Sequence, residues 1–132
     1  MSIEKEIKIV IEEDVPNVTK DFGIYCIRNI RNGKTYVGST TTTFRKRWDA
    51  HIKDLNAGKH CNYRLQADWK MYGEQCFVFE VLEVAREPHN IFVLEQIWIN
   101  KNKKIMSYNI LRIAGAVPGR VKRKFAKAKA KK

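Results

Sequence analysis

Apolar and polar positions change period several times along this chain, and each change marks an element. Ile7, Ile9 and Ile11 alternate with polar residues over 6–12, broken only by Val10. A period of two predicts a short strand with one buried face. Glu12-Glu13-Asp14 and Pro16 end it. A hairpin follows, with strands at roughly 23–30 and 34–39 meeting at Asn32-Gly33, a strong signal for a tight turn. Thr40 to Thr43 offers helix N-caps, and Phe44, Trp48, Ile52 and Leu55 recur at helical spacing up to Gly58. A second helix is expected from about Asn62 to Tyr72, with Leu65, Trp69 and Tyr72 as its apolar stripe. Cys76 to Leu82 is apolar on both alternating faces and reads as a strand covered on two sides. Pro88 suits the first turn of a third helix, from about Glu87 to Asn100. That helix is apolar nearly all round and is expected to be largely buried.

This order predicts an α/β (α+β) fold: a small, mostly antiparallel three- to four-stranded sheet flanked by about three helices. Residues 1–20 form an N-terminal segment with a possible edge strand, 21–118 the body, and 119–132 a tail.

Charge sharpens the tail. The net charge of +12 over 132 residues is uneven: residues 112–132 hold nine Lys or Arg and no acid. Such a segment suits polyanions, because each Lys or Arg on a phosphate releases counterions. A solvated tail and a nuclear localisation signal are the other readings of the same composition. No apolar run approaches the ~18 residues of a membrane span, and the charged start lacks a signal-peptide core. The expectation is an intracellular protein, cytoplasmic or nuclear and not secreted, with no membrane partner. Cys26, Cys61 and Cys76 are odd in number and form no Cys-x-x-Cys pair. They predict neither a disulfide framework nor a zinc site.

Candidate chemistry lies on three elements. Tyr25 and Tyr36 would be brought together by the hairpin. Arg47 and His51, four residues apart, share a helix face expected beside the Phe44/Trp48/Ile52 stripe. Arginine can clamp a phosphate and histidine can move a proton. An ordinary solvated face is the competing reading. Glu95 lies in the apolar third helix, where a carboxylate is costly unless paired, hydrogen-bonded or bound to a cation. His60 is expected on a surface loop, within reach of a nucleic acid.

In this order, Gly23-Ile24-Tyr25, Tyr36-Val37-Gly38-Ser39, Lys46-Arg47-Trp48, His51, Glu95 and Tyr108-Asn109-Ile110 resemble the GIY-YIG nuclease family. The likeness is strongest to the catalytic domain of phage intron-encoded homing endonucleases. It covers about Phe22 to Pro118, with Tyr-Val-Gly where the family name has Tyr-Ile-Gly. The resemblance implies a DNA endonuclease that hydrolyses phosphodiesters at a single active site, with Mg²⁺ as cofactor and Mn²⁺ as a possible substitute. It implies Tyr25 as general base or water-positioner and Tyr36 beside the attacking water or phosphate. Arg47 would stabilise phosphate charge, His51 would help the tyrosine lose its proton, Glu95 would bind metal, and Asn109 would support the site. Gly38 would allow backbone and substrate to approach closely. Lys46, His60, Arg120, Lys122, Arg123 and Lys124 are the candidate DNA contacts. Two alternatives stay open: a non-catalytic nucleic-acid-binding module, and a nuclease subunit targeted by a partner. A homodimer is possible.

Overall fold

The computed structural model describes residues 15–115. The strand expected at 6–12 and the tail residues Arg120, Lys122, Arg123 and Lys124 lie outside them. Three antiparallel strands, β1 (Gly23–Asn29), β2 (Thr35–Thr40) and β3 (Phe77–Val84), form one sheet in the order β2-β1-β3. Helices α1 (Phe44–Asn56) and α2 (Tyr63–Tyr72) follow the hairpin, and α3 (Ile91–Lys101) follows β3. The fold is α+β, as the periodicity predicts.

Alternation along β1 divides the interior in two. Tyr25 and Ile27 join Phe44, Trp48, Leu55, Leu65, Trp69 and Phe77 in one core, built by α1 and α2. Ile24 and Val37 join Ala85, Ile91 and Ile99 in a second, under α3. Both sheet faces are covered, which is why β3 is apolar on alternating sides.

The hairpin differs from a two-residue turn. Asn29 N–H donates to Lys34 O (2.9 Å) and Gly33 N–H donates to Asn29 O (2.8 Å), so four residues make the loop. Gly33 takes the left-handed conformation there (φ 77°). The buried Asn29 side chain fixes the loop by accepting from Arg31 N–H and donating to the Tyr108 hydroxyl.

Two helical expectations are corrected. In α1 the buried stripe is Phe44, Trp48, His51 and Leu55, so His51 lies within the stripe and Ile52 beside it. Both positions satisfy an i, i+4 pattern, and the tertiary contacts select the histidine. In α3 only Ile91, Glu95 and Ile99 are buried, while Phe92, Val93 and Ile97 are exposed. One sheet face can cover only one side of a helix, whatever the other side carries. A short 3-10 turn, Pro88–Asn90, precedes α3, which therefore starts later than Glu87. Among the described residues no helix is long and apolar enough to cross a membrane.

Candidate active site

Register places the two tyrosines. Tyr25 pairs with Gly38 and Ile27 with Tyr36, so the phenols are diagonal neighbours on the α1/α2 face of the sheet. Tyr25 leans across its pairing partner: a Cβ on Gly38 would stand 2.6 Å from the Tyr25 hydroxyl and 3.0 Å from the Tyr36 ring. The close approach that glycine permits is therefore the approach of Tyr25 itself.

Residues from both sheet faces meet where β2, the edge strand, ends. A pocket of about 190 Å³ is lined by Tyr25, Tyr36, Gly38, Ser39, Arg47, Phe92, Glu95 and Gly115. Ser39 points to the α3 side and its hydroxyl donates a short hydrogen bond to Glu95 Oε1. Gly115 N–H donates to Glu95 Oε2 (3.1 Å). Gln96 holds that returning segment in place, accepting from Ala114 N–H and donating to Arg112 O. Burial raises the Glu95 pKa above its ordinary 4.5, while Ser39, Gly115 and the Arg47 charge pull it back.

Arg47 projects from the exposed side of α1 toward both phenols. Burial works against its charge, but Tyr25 and then Tyr36 more than offset it and raise its pKa. It is a fixed cation in the pocket wall. Burial also pushes Tyr36 up to about 12 and Tyr25 well above the usual 10; Arg47 opposes both shifts.

Behind Tyr25 runs a buried hydrogen-bond chain. Asn62 N–H donates to His60 Nδ1 (3.0 Å), His60 Nε2 lies 2.7 Å from His51 Nδ1, and His51 Nε2 lies 2.5 Å from the Tyr25 hydroxyl. Its direction follows from the fixed end. His60 Nδ1 accepts, so neutral His60 carries its proton on Nε2 and donates to His51 Nδ1. His51 then carries its own proton on Nε2 and donates to Tyr25. Burial, then the Arg47 charge and His60, lower the His51 pKa to about 2, and burial also lowers that of His60. His51 is thus arranged to donate to the tyrosine oxygen and to stabilise a phenolate. A role as acceptor of the Tyr25 proton does not fit this arrangement. His60, expected at the surface as a nucleic-acid contact, is buried behind His51, with its ring stacked on that of His51.

Asn109 stands outside the pocket. Its Oδ1 accepts from Val37 N–H (2.8 Å) and its Nδ2 donates to Val37 O (2.9 Å), closing the free edge of β2 as a strand would. Lys46 lines a neighbouring trench of about 430 Å³ with Ser39, Thr40, Thr41, Thr42 and Arg47. The sequence alone singles out neither Ser39 nor Phe92 as a site residue. For Ser39 the available clue is its place next to Gly38, on the strand carrying Tyr36. Phe92 offers none, because it reads as one more apolar residue in an apolar helix.

A hard cation fits these donors. Glu95 is the carboxylate lining the pocket, with hydroxyls beside it, and among the described residues no three His, Cys, Asp or Glu cluster as a metal cage. Such a set suits an ion that keeps most of its waters.

Residues 21–109 match the family described as the GIY-YIG catalytic domain. The chain is 42% identical over 91 residues to Intron-associated endonuclease 1 of Enterobacteria phage T4, covering 67% of this chain and 36% of that protein. It thus spans about a third of that relative's length. Among solved structures, the catalytic domain of homing endonuclease I-TevI superposes with a TM-score of 0.61 at 41% identity, covering 67% of this chain and 97% of that one. A mutant of the same catalytic domain gives a TM-score of 0.62 at 40% identity, covering 68% and 93%. By sequence and by fold, this chain belongs to the GIY-YIG family.

Proposed function

We propose that this chain is a metal-dependent DNA endonuclease that hydrolyses phosphodiester bonds at the pocket between β2, α1 and α3. The observation that carries this reading is the convergence of Tyr25, Tyr36, Arg47 and Glu95, from both sheet faces, on one small pocket. The likeness to endonucleases supports it and supplies DNA as the substrate class.

Hydrolysis adds a water oxygen to phosphorus, gathers negative charge on the phosphoryl oxygens and releases an alkoxide that takes a proton from solvent. Arg47 is placed to neutralise the phosphoryl charge. Tyr25 is the candidate to take the proton of the attacking water, which requires its phenolate. Burial disfavours that form, so Arg47, the His51 N–H and a cation on Glu95 have to offset it. Tyr36 lies beside Arg47 and orders the water or a phosphate oxygen. Glu95, helped by Ser39 and pocket waters, would hold one Mg²⁺ or Mn²⁺. Bound there, the ion would stabilise charge on the phosphate and acidify water. With one carboxylate at the pocket among the described residues, a single ion fits better than a pair.

The test is a plasmid nicking assay. Cleavage is expected with Mg²⁺ and absent with EDTA. Glu95→Ala and Arg47→Ala should each lose cleavage while keeping a native circular dichroism spectrum. For Arg47 the loss should be about 10²–10³-fold, the scale of removing one charge-stabilising donor. Full activity in Glu95→Ala would sink the metal assignment.

A further inference from the structure

A third concavity lies at the start of α2. It has a volume of about 680 Å³ and is walled by Lys34 before β2, Tyr63 and Arg64 at the start of α2, and Lys104, Ile105 and Tyr108. Three cations reach it from three separate parts of the chain. Among the described residues none of them has a carboxylate within ion-pair distance. The acid in the groove, Asp68, is already engaged, accepting from the Tyr108 hydroxyl (2.6 Å) and from Asn32 Nδ2 (3.1 Å). The floor is braced, because Asn62 Nδ2 donates to Tyr108 O (2.8 Å) and ties α2 to the C-terminal wall. Asn62 Oδ1 also accepts from the Arg64 and Leu65 N–H groups, so the attraction comes from side chains and not from free helix amides. Two large apolar groups stand open in this basic setting: Tyr63 is 60% exposed and Ile105 is 80% exposed.

The groove adjoins the active-site pocket through the strand that carries Tyr36. Lys34, Tyr36 and Gly38 alternate along one strand direction and so share a face. Two strand residues span about 7 Å, close to two base steps of a duplex at ~3.4 Å each. On the same line, Tyr108 N–H donates to Thr35 O (2.9 Å), so the groove wall is bonded next to the pocket residue Tyr36.

We infer that this groove seats the DNA next to the scissile phosphate, with Lys34, Arg64 and Lys104 on backbone phosphates and the Tyr63 ring against a sugar. An acidic peptide would also meet the charge, but it would not need to continue into a phosphate-cleaving pocket. Cations flanking an exposed ring suit the phosphates and sugars of a nucleic-acid backbone, the contacts that position a duplex. The inference rests on the nuclease reading for its register with the cut.

The test uses the full chain carrying Glu95→Ala, so that substrate survives, and a mixed-sequence DNA duplex of about 30 base pairs. Binding is followed by fluorescence anisotropy from about 50 to 200 mM KCl. Adding Lys34→Ala, Arg64→Ala and Lys104→Ala together should flatten the slope of log K against log salt by about 2–3, near 0.9 for each phosphate that is no longer neutralised. Tyr63→Ala should weaken binding with the slope unchanged, because the ring neutralises no phosphate. Unchanged affinity and slope in the triple variant would overturn the inference and favour a non-nucleic-acid occupant. So would an equal effect from Lys53→Ala, Lys59→Ala and Lys70→Ala, which lie off the groove. If the unsubstituted chain cleaves DNA while the triple variant binds normally, the groove alone fails. If it cleaves nothing but the slope difference stands, the nuclease reading fails and the groove remains a nucleic-acid surface.

Discussion

Gly38 is where a single methyl group decides whether the site exists. A Cβ there would overlap the Tyr25 phenol and press on the Tyr36 ring. The backbone itself would tolerate alanine, because Gly38 has no positive φ. Gly38→Ala should therefore fold, displace both phenols and lower cleavage about 10²-fold, the scale of a 1 Å misplacement. A wild-type rate from a folded variant would refute this. The histidines give a pH signature. The unfolded chain takes up a proton at His51 near pH 6.5, whereas the folded one resists until about pH 2. Stability is thus fully present above pH 6.5 and falls as pH drops below it, by up to about 1.4 kcal/mol per pH unit. His60 acts in the same direction. Urea titrations should show less stability at pH 5 than at pH 7, with a smaller difference in His51→Gln. Glu95 acts with the opposite sign above pH 4.5, because its folded pKa is raised. Because His51 stays neutral, the cleavage rate should show no inflection near pH 6.5. A clear bend there would restore His51 as a titrating base. Spacing in the sequence was enough to nominate Arg47 and His51 together. It could not separate an arginine that faces the pocket from a histidine that joins the core, since both lie on one helix side.

At the level of elements, the hairpin carries the site, and the outer edge of β2 depends on the C-terminal segment that bonds it. An unpaired edge strand is open to slippage and to pairing with other chains. Asn109 closes β2 at Val37 through both ends of its amide, and the Tyr108 backbone closes it at Thr35. Replacing Asn109 with Leu leaves the Val37 N–H and C=O without those partners. The expected cost is about 1–3 kcal/mol. Chemical denaturation measures that cost, and cleavage should fall along with stability. The period of apolar residues disclosed α1 and α2, because burial on one face imposes its period on the sequence, while the Asn32-Gly33 turn disclosed β1 and β2, and apolar runs disclosed β3 and α3. It misjudged the exposure of α3. Helical periodicity identifies a face only when the opposite face is polar, and α3 carries Phe92, Val93 and Ile97 on its open side.

For the whole molecule, the basic excess is shared between the body and the tail. The described body holds the pocket, while much of the basic excess lies beyond residue 115. If the tail contributes non-specific DNA affinity, removing residues 119–132 should weaken duplex binding and flatten its salt dependence. Unchanged affinity on gel shifts would remove that role. What the amino-acid sequence determined by itself was local: strand and helix periods, the hairpin, the charged tail, and the order of Tyr25, Tyr36, Arg47, His51 and Glu95 that marks the family. Only the tertiary structure decided the relations between distant residues. It folded His60 behind His51 and so set the direction of the hydrogen bonds reaching Tyr25. It brought Ser39, 56 residues before Glu95, and Gly115, 20 residues after it, to the same carboxylate. Residue periods encode which face is buried, whereas hydrogen-bond partners dozens of residues apart follow from how the buried faces pack.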